Sequence, residues 1–140
     1  MAWPQTFPPQ CPPQDAGSPE GRVVYCFVEQ NPPTLPDFRS QRQLNPEREP
    51  YKDPEVECKA HGFSVFSELY DLHLLRSAIR KFRKMEPARG ELEDALGVIK
   101  ATPANTRRPN DSHHTLWFKT GTYPENHFQV ISVDWSTIEL

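Results

Sequence analysis

The sequence predicts an α+β fold with a mixed sheet of about five strands, one main amphipathic helix and a proline-rich N-terminal tail. Short runs of β-branched and aromatic residues recur along the chain, and one longer segment repeats its apolar residues with helical period. Twelve of the sixteen prolines precede residue 58. A chain of 140 residues is long enough for one hydrophobic core. We therefore expect a flexible tail at residues 1–21 and a single domain at residues 22–140.

The tail contains Pro-Pro pairs, which favour extended polyproline conformation because proline lacks a backbone N–H. Pro9 and Pro12 form a PxxP spacing. Such a spacing is typical of peptides that dock into aromatic-lined grooves. The tail is therefore a candidate docking segment, and the alternative is a solvated leader.

The first strand is predicted at residues 22–28, where nearly continuous apolar character favours a central position in the sheet. Prolines between residues 31 and 54 exclude a long helix and leave one short helical turn at 35–44. Residues 91–96 fit a further helical turn as an alternative to strand. The other strands are predicted, from alternation and β-branched composition, at 62–66, 88–92, 97–102, 113–119 and 128–135.

The main helix is predicted to begin after Ser67, as its N-cap, and to end at about Met85, ahead of Pro87. Its apolar stripe comprises Leu72, Leu75, Ile79 and Phe82.

The back of this predicted helix is strongly basic. Its cations are Arg76, Arg80, Lys81, Arg83 and Lys84. Arg107 and Arg108, in the polar loop 103–112, are expected to extend the same surface. These cations would make a local anion-binding surface on a chain whose formal net charge is −3. It fits an acidic protein partner first and nucleic acid second, and the alternative is a solvated face.

Composition excludes several other classes. No apolar run approaches the roughly 18 residues of a membrane helix, and the N-terminus lacks a secretory pattern, so we expect a cytoplasmic protein with no membrane partner. Cys11, Cys26 and Cys58 are an odd and sparse set, which predicts free thiols.

The sequence contains only part of the residue set that a metal site or an acyl-transfer site requires. Cys58 and His61 have the spacing of metal ligands, but the adjacent His113 and His114 point to opposite faces of a strand, so neither a metal site nor a cofactor is predicted. For acyl transfer, the sequence lacks a nucleophile-elbow glycine pattern and a cysteine-protease signature. The candidate nucleophiles would be Cys58 and Ser64, and the candidate bases His61, His73 and His114.

The order of the predicted strands and the main helix resembles that of known proteins. It runs through Val-Tyr-Cys-Phe-Val, then Gly-Phe-Ser-Val-Phe before a helix, then His-His-Thr-Leu-Trp before a valine-rich last strand. This order resembles a group of small uncharacterised bacterial proteins and is similar to the ADP-ribosyltransferase-like fold. In that fold a strand bearing Arg or His, a strand bearing a serine and a following helix enclose a cleft that holds NAD.

The resemblance implies a cleft for NAD or a nucleotide. Tyr25 and Cys26 would lie where the fold places its basic NAD-binding residue, and no glutamate stands out as catalytic. The residues expected to line this cleft are Tyr25, Ser64, His114, Thr115 and Trp117.

Two hypotheses follow. The first is a small binding or accessory protein that acts through the basic helix face and the proline-rich tail. The second is an ADP-ribosyltransferase-like enzyme, or an inactive relative, that binds NAD or a nucleotide. The sequence leaves open whether the protein is an enzyme and which residues would be catalytic.

Overall fold

A computed structural model of the protein describes residues 2–103 and 111–139, and these form an α+β fold around one open antiparallel sheet. The strands are β1 Val23–Val28, β2 Phe63–Phe66, β3 Glu86–Glu91, β4 Gly97–Ala101, β5 His113–Phe118 and β6 Phe128–Val130. The α-helices are α1 Gln41–Leu44, α2 Pro54–Ala60 and α3 Leu69–Ala78. Short 3-10 turns lie at Leu35–Phe38, Arg80–Lys84, Asp94–Leu96, Pro124–His127 and Trp135–Thr137.

The strand order is β4-β5-β2-β1-β3-β6, and every neighbouring pair is antiparallel. The α+β class is therefore confirmed, whereas the expectation of a mixed sheet is wrong because every pair is antiparallel. About five strands were expected, and the described residues form six. Alternating composition identifies a segment as a strand, but it does not specify the direction of the neighbour with which that strand pairs.

Strand β1 lies at the centre of the sheet, as its continuous apolar sequence predicts. It pairs with β3 along its whole length, from Val23 opposite Glu91 to Val28 opposite Glu86. Its pairing with β2 is limited to Tyr25 opposite Phe66. Beyond this pair, β1 and β2 do not pair with each other.

The main core packs on one face of the sheet. Val24, Cys26 and Val28 of β1 point to this face and are at most 3% exposed. Phe38, from the 3-10 turn at Leu35–Phe38, covers them. Its ring lies within 4.9 to 6.4 Å, between centroids, of Phe63, Phe118 and Phe128. This aromatic cluster fixes the loop after β1 against the sheet.

The predicted continuous helix at residues 67–85 is wrong. Helix α3 ends at Ala78, Ile79 is extended with φ −125° and ψ 114°, and the chain resumes as the 3-10 turn Arg80–Lys84. The side chain of Arg83 explains the break, because its Nε and Nη2 donate to the carbonyls of Arg76 and Ser77 at 3.2 and 3.0 Å. These are the carbonyls that a continuing helix would use. The predicted stripe is interrupted as well, since Ile79 is 42% exposed.

The observed bounds of several shorter elements differ from those predicted. The predicted turn at 35–44 is split into a 3-10 turn and α1, and the last predicted strand stops at Val130. Helix α2, which the sequence did not predict, begins after Asp53, whose side chain accepts the amide of Glu55 at 2.9 Å. No helix among the described residues is long and apolar enough to cross a membrane.

The N-terminal segment 2–21 lies against the sheet. Gly17 pairs with Ile99 through two backbone hydrogen bonds of 2.9 and 2.8 Å, and Lys100 forms an ion pair of 3.0 Å with Asp15. Cys11 and Cys58 form a disulfide across a sequence separation of 47 residues. The prediction of free thiols is therefore wrong for these two residues, because an odd count of cysteines does not exclude one bonded pair. The third, Cys26, is free and buried.

Candidate functional site

A cavity of about 630 Å³ opens where β1 and β2 diverge. Phe27 of β1 and Ser64 of β2 lie on its two sides, beyond the pair Tyr25–Phe66, where β1 and β2 no longer pair with each other. Leu72 and Leu75 of α3 form a further wall. We call this cavity the cleft.

The cleft combines apolar walls with charged residues at its margins. Its apolar and aromatic lining is Cys26, Phe27, Pro36, Leu44, Phe63, Phe66, Leu72, Leu75, Phe82 and Met85. Its polar lining includes Glu29, Gln30, Thr34, Asp37, Arg39, Ser64 and Lys81. Flat aromatic walls accept a planar ring, and cations at the margin accept an anionic group.

Hydrogen bonds fix the loop that carries these charges. Asp37 accepts the amides of Glu29 and Thr34 at 2.7 and 2.9 Å, so its carboxylate is used to hold the loop after β1. Arg39 donates its Nε to the carbonyl of Pro36 at 3.0 Å. That bond orients the guanidinium and leaves its terminal nitrogens without a partner among the described residues.

Ser64 is the only residue of the predicted cleft set that lines the observed cavity. Of the others, Tyr25 lies outside the cavity, at the β1 position that pairs with Phe66 of β2. Thr115 and Trp117 are at most 2% exposed, and the indole Nε1 of Trp117 donates to the carbonyl of Cys58 at 2.9 Å. His114 points to the opposite face of β5. Cys26 does line the cleft, and burial raises the pKa of its thiol far above the ordinary value, so it is a neutral wall residue.

His113 is the functional candidate that sequence reasoning missed. Its Nδ1 lies 2.8 Å from the carbonyl oxygen of Thr102, and its Nε2 lies 3.0 Å from Oγ of Ser64. The register explains the contact: Ser64 pairs with Thr115, and His113 is two residues before Thr115 on the same face of β5. Only knowledge of the register between β2 and β5 would have identified this partner.

The bases proposed from the sequence have other contacts. His61 is 2.9 Å from a carboxylate oxygen of Glu57, and His73 stacks on Trp135 with ring centroids 5.2 Å apart. Nδ1 of His114 lies 2.7 Å from the carbonyl oxygen of Ser112. Cys58 is bonded to Cys11, so it offers no thiolate, and residues 2–103 and 111–139 contain no group of three or more His, Cys, Asp or Glu side chains suited to a metal ion.

The predicted basic surface is divided between the end of α3 and the following 3-10 turn. Arg83 caps α3, and the guanidinium of Arg76 lies 5.1 Å from the ring centroid of Trp135. Arg80 and Lys84 are exposed. Within the part of the chain that the structure describes, none of the basic residues from 76 to 84 forms an ion pair with a carboxylate. Arg107 and Arg108 lie outside the described residues.

The molecule thus presents two candidate sites, the cleft and the basic surface, and Lys81 belongs to both. Comparisons of the chain with protein-family models, with curated proteins and with solved structures find no match.

Proposed function

We propose that the protein binds an anionic nucleotide-type ligand, with NAD as the reference compound, in the cleft between β1 and β2. The observation that carries this proposal is one cavity that joins aromatic walls with two cations, Arg39 and Lys81, neither of which forms an ion pair with a carboxylate among the described residues. Nζ of Lys81 lies over the ring of Phe82, 5.0 Å from its centroid. The volume of the cavity, about 630 Å³, lies within the roughly 300–1,000 Å³ of typical small-molecule sites.

The lining supports this ligand class in two ways. A nicotinamide or adenine ring matches the flat apolar surface of Phe66, which a purely aliphatic pocket would lack. The ring of Phe27 is 7% exposed and stacks on Phe82, with centroids 5.2 Å apart. A pyrophosphate matches Arg39 and Lys81, since Arg forms paired hydrogen bonds to phosphate oxygens.

The resemblance to the ADP-ribosyltransferase-like fold favours the same ligand. In this chain the central strand β1, the Ser64-bearing strand β2 and helix α3 come in this order, with a 3-10 turn, α1 and α2 between the two strands, and the cleft lies between β1 and β2. The basic residue comes from another position, because β1 offers Cys26 and Phe27 to the cleft, whereas Arg39 comes from the loop after it. We propose binding alone and assign no ADP-ribosyl transfer to the protein.

We expect NAD to stabilise the protein against heat, and Arg39→Gln to weaken the binding about tenfold or more. The reason is that a hydrogen bond to a charged group contributes roughly 1.5–3 kcal/mol. At one hundred times its dissociation constant a ligand adds about 2.7 kcal/mol to the free energy of unfolding. The measurement is the melting temperature at increasing NAD, with ATP as a second ligand.

Arg48→Gln is the matched control, because Arg48 lies over the ring of Tyr51, 5.0 Å from its centroid, outside the cleft. If neither NAD nor ATP raises the melting temperature, or if both arginine variants respond alike, the cleft is not a nucleotide site.

The basic surface supports a second candidate function, capture of an acidic protein partner. The supporting observation is a set of cations that have no carboxylate partner among the described residues. The proline-rich segment belongs to the same hypothesis as a further contact surface.

Reversing Arg80 and Lys84 to glutamate is expected to abolish partner capture in a pull-down while leaving the melting temperature unchanged. These two are the appropriate positions because Arg83 caps α3 and Arg76 stacks on Trp135, so their reversal would also disturb the fold. Reversal of the exposed Lys52, on the loop before α2, is the control. Unchanged capture by the double variant would exclude this surface, and recovery of RNA in place of protein would exclude the acidic protein partner.

A further inference from the structure

We infer that Ser64 is a nucleophile whose hydroxyl is activated by His113 toward the carbonyl carbon of carboxylic esters. This activity goes beyond ligand binding in the cleft and does not depend on NAD. It rests on the arrangement of Ser64, His113 and Thr102, in which a hydroxyl, an imidazole and an orienting carbonyl follow one another at hydrogen-bond distance.

The orientation of the imidazole is set from its far side. Two oxygens of Thr102 lie near Nδ1 of His113, the carbonyl oxygen at 2.8 Å and the hydroxyl Oγ1 at 2.9 Å. The carbonyl can only accept, and Oγ1 also contacts Oγ1 of Thr115 at 2.8 Å, so we assign the hydrogen to Nδ1, which donates to the carbonyl. Nε2 is then the acceptor, and Oγ of Ser64 donates to it across 3.0 Å. This is the tautomer that a general base requires, and Thr102, which contacts Nδ1, does not titrate.

The surroundings keep the imidazole neutral. Burial, the largest cause, lowers the pKa of His113 below its ordinary value. His113 is half-buried and its ring meets Phe66 edge-on, with centroids 5.3 Å apart. A neutral imidazole can take the proton of a serine hydroxyl at neutral pH.

Ser64 is accessible to a substrate. The residue is exposed, and it lines the cleft on its β2 side. The apolar walls at Phe27, Phe66 and Leu75 favour esters with an apolar acyl group.

The step balances without a further reagent. Oγ of Ser64 forms a bond to the acyl carbon, the bond from that carbon to the alcohol oxygen breaks, and no atom changes oxidation state. The proton of Ser64 passes to Nε2 of His113 and then to the departing alcohol oxygen. Water, activated by the same imidazole, returns the serine and releases the carboxylic acid.

The test is labelling of the full-length, disulfide-bonded protein with a fluorophosphonate, followed by mapping of the modified residue by mass spectrometry. In this labelling Oγ bonds to phosphorus and fluoride leaves. We expect a single adduct on Ser64, no adduct in Ser64→Ala, and labelling slowed about a hundredfold or more in His113→Asn. His114→Asn, the adjacent residue on the opposite face of β5, should label at the rate of the unmodified protein.

Two results would overturn the inference. One is an unmodified Ser64 in the unaltered protein, which is decisive whether or not any variant folds. The other is labelling at the same rate in a folded His113→Asn variant. Because no nucleotide is present, either result leaves the NAD proposal to be judged on its own titration.

Discussion

Loss of the Cys11–Cys58 disulfide is expected to lower the free energy of unfolding by about 4 kcal/mol. The bridge closes a separation of 47 residues, and the chain-entropy relation gives this magnitude for a loop of that length. For a chain of this size the change corresponds to a fall in melting temperature of roughly 10 °C or more. The measurement is thermal unfolding of Cys11→Ser beside the unaltered protein, each with and without a reducing agent.

The Cys11→Ser variant is the control for the effect of the reducing agent. Reductant should destabilise the unaltered protein and leave Cys11→Ser unchanged, because Cys58 has lost its partner in that variant and Cys26 is already free. Alkylation after unfolding without reductant should modify one thiol per chain. Modification of all three cysteines would contradict the disulfide.

Glu57→Gln is expected to destabilise the protein by about 3 kcal/mol, since removing one member of a buried ion pair leaves the other charge unpaired. Glu57 is 8% exposed. It receives two hydrogen bonds from Arg42, at 2.7 and 3.0 Å, and one from the amide of Tyr51 at 2.9 Å. These contacts join α1, the following loop and α2. Glu55→Gln, exposed on the same helix, is the control and should change stability by less than about 1 kcal/mol.

The same carboxylate makes stability depend on acid pH. The hydrogen bond from Arg42, with further bonds from Tyr51 and His61, lowers the pKa of Glu57 from 4.5 to about 2. Below pH 4.5 the unfolded chain binds a proton at this position that the folded protein still excludes. The stabilisation by Glu57 is therefore complete above pH 4.5 and is lost as pH falls toward 2. Glu57→Gln should reduce the pH dependence across this interval, and an equally steep dependence in the variant would contradict the assignment.

Local composition predicted the strands well because β-branched and aromatic side chains identify them without tertiary information. Residues 22–28 were predicted as a central strand, and β1 is central. Sheet direction, the break at Ile79 and the cysteine pairing were not predictable in this way. Each depends on a contact distant in sequence or space, such as the hydrogen bonds from Arg83 to the last turn of α3.

In the candidate site, too, some residues could be predicted from the sequence, whereas others depend on contacts distant in sequence. The resemblance implies Ser64 as a lining residue of a nucleotide cleft, and the structure has Ser64 beside the cavity between β1 and β2. Arg39 was not predicted, because its position depends on the packing of Phe38 beneath the loop. His113 was passed over in favour of His114, since a single sequence does not reveal which of two adjacent strand residues shares a face with Ser64.

Amide chemical-shift mapping of the protein during titration with NAD tests the central proposal most directly. Binding in the cleft predicts saturable shifts concentrated at Phe27, Ser64, Phe66 and the 3-10 turn Arg80–Lys84, with the edge strand β6 unaffected. Shifts that are absent at saturating NAD, or that are confined to residues outside the cleft, would contradict it.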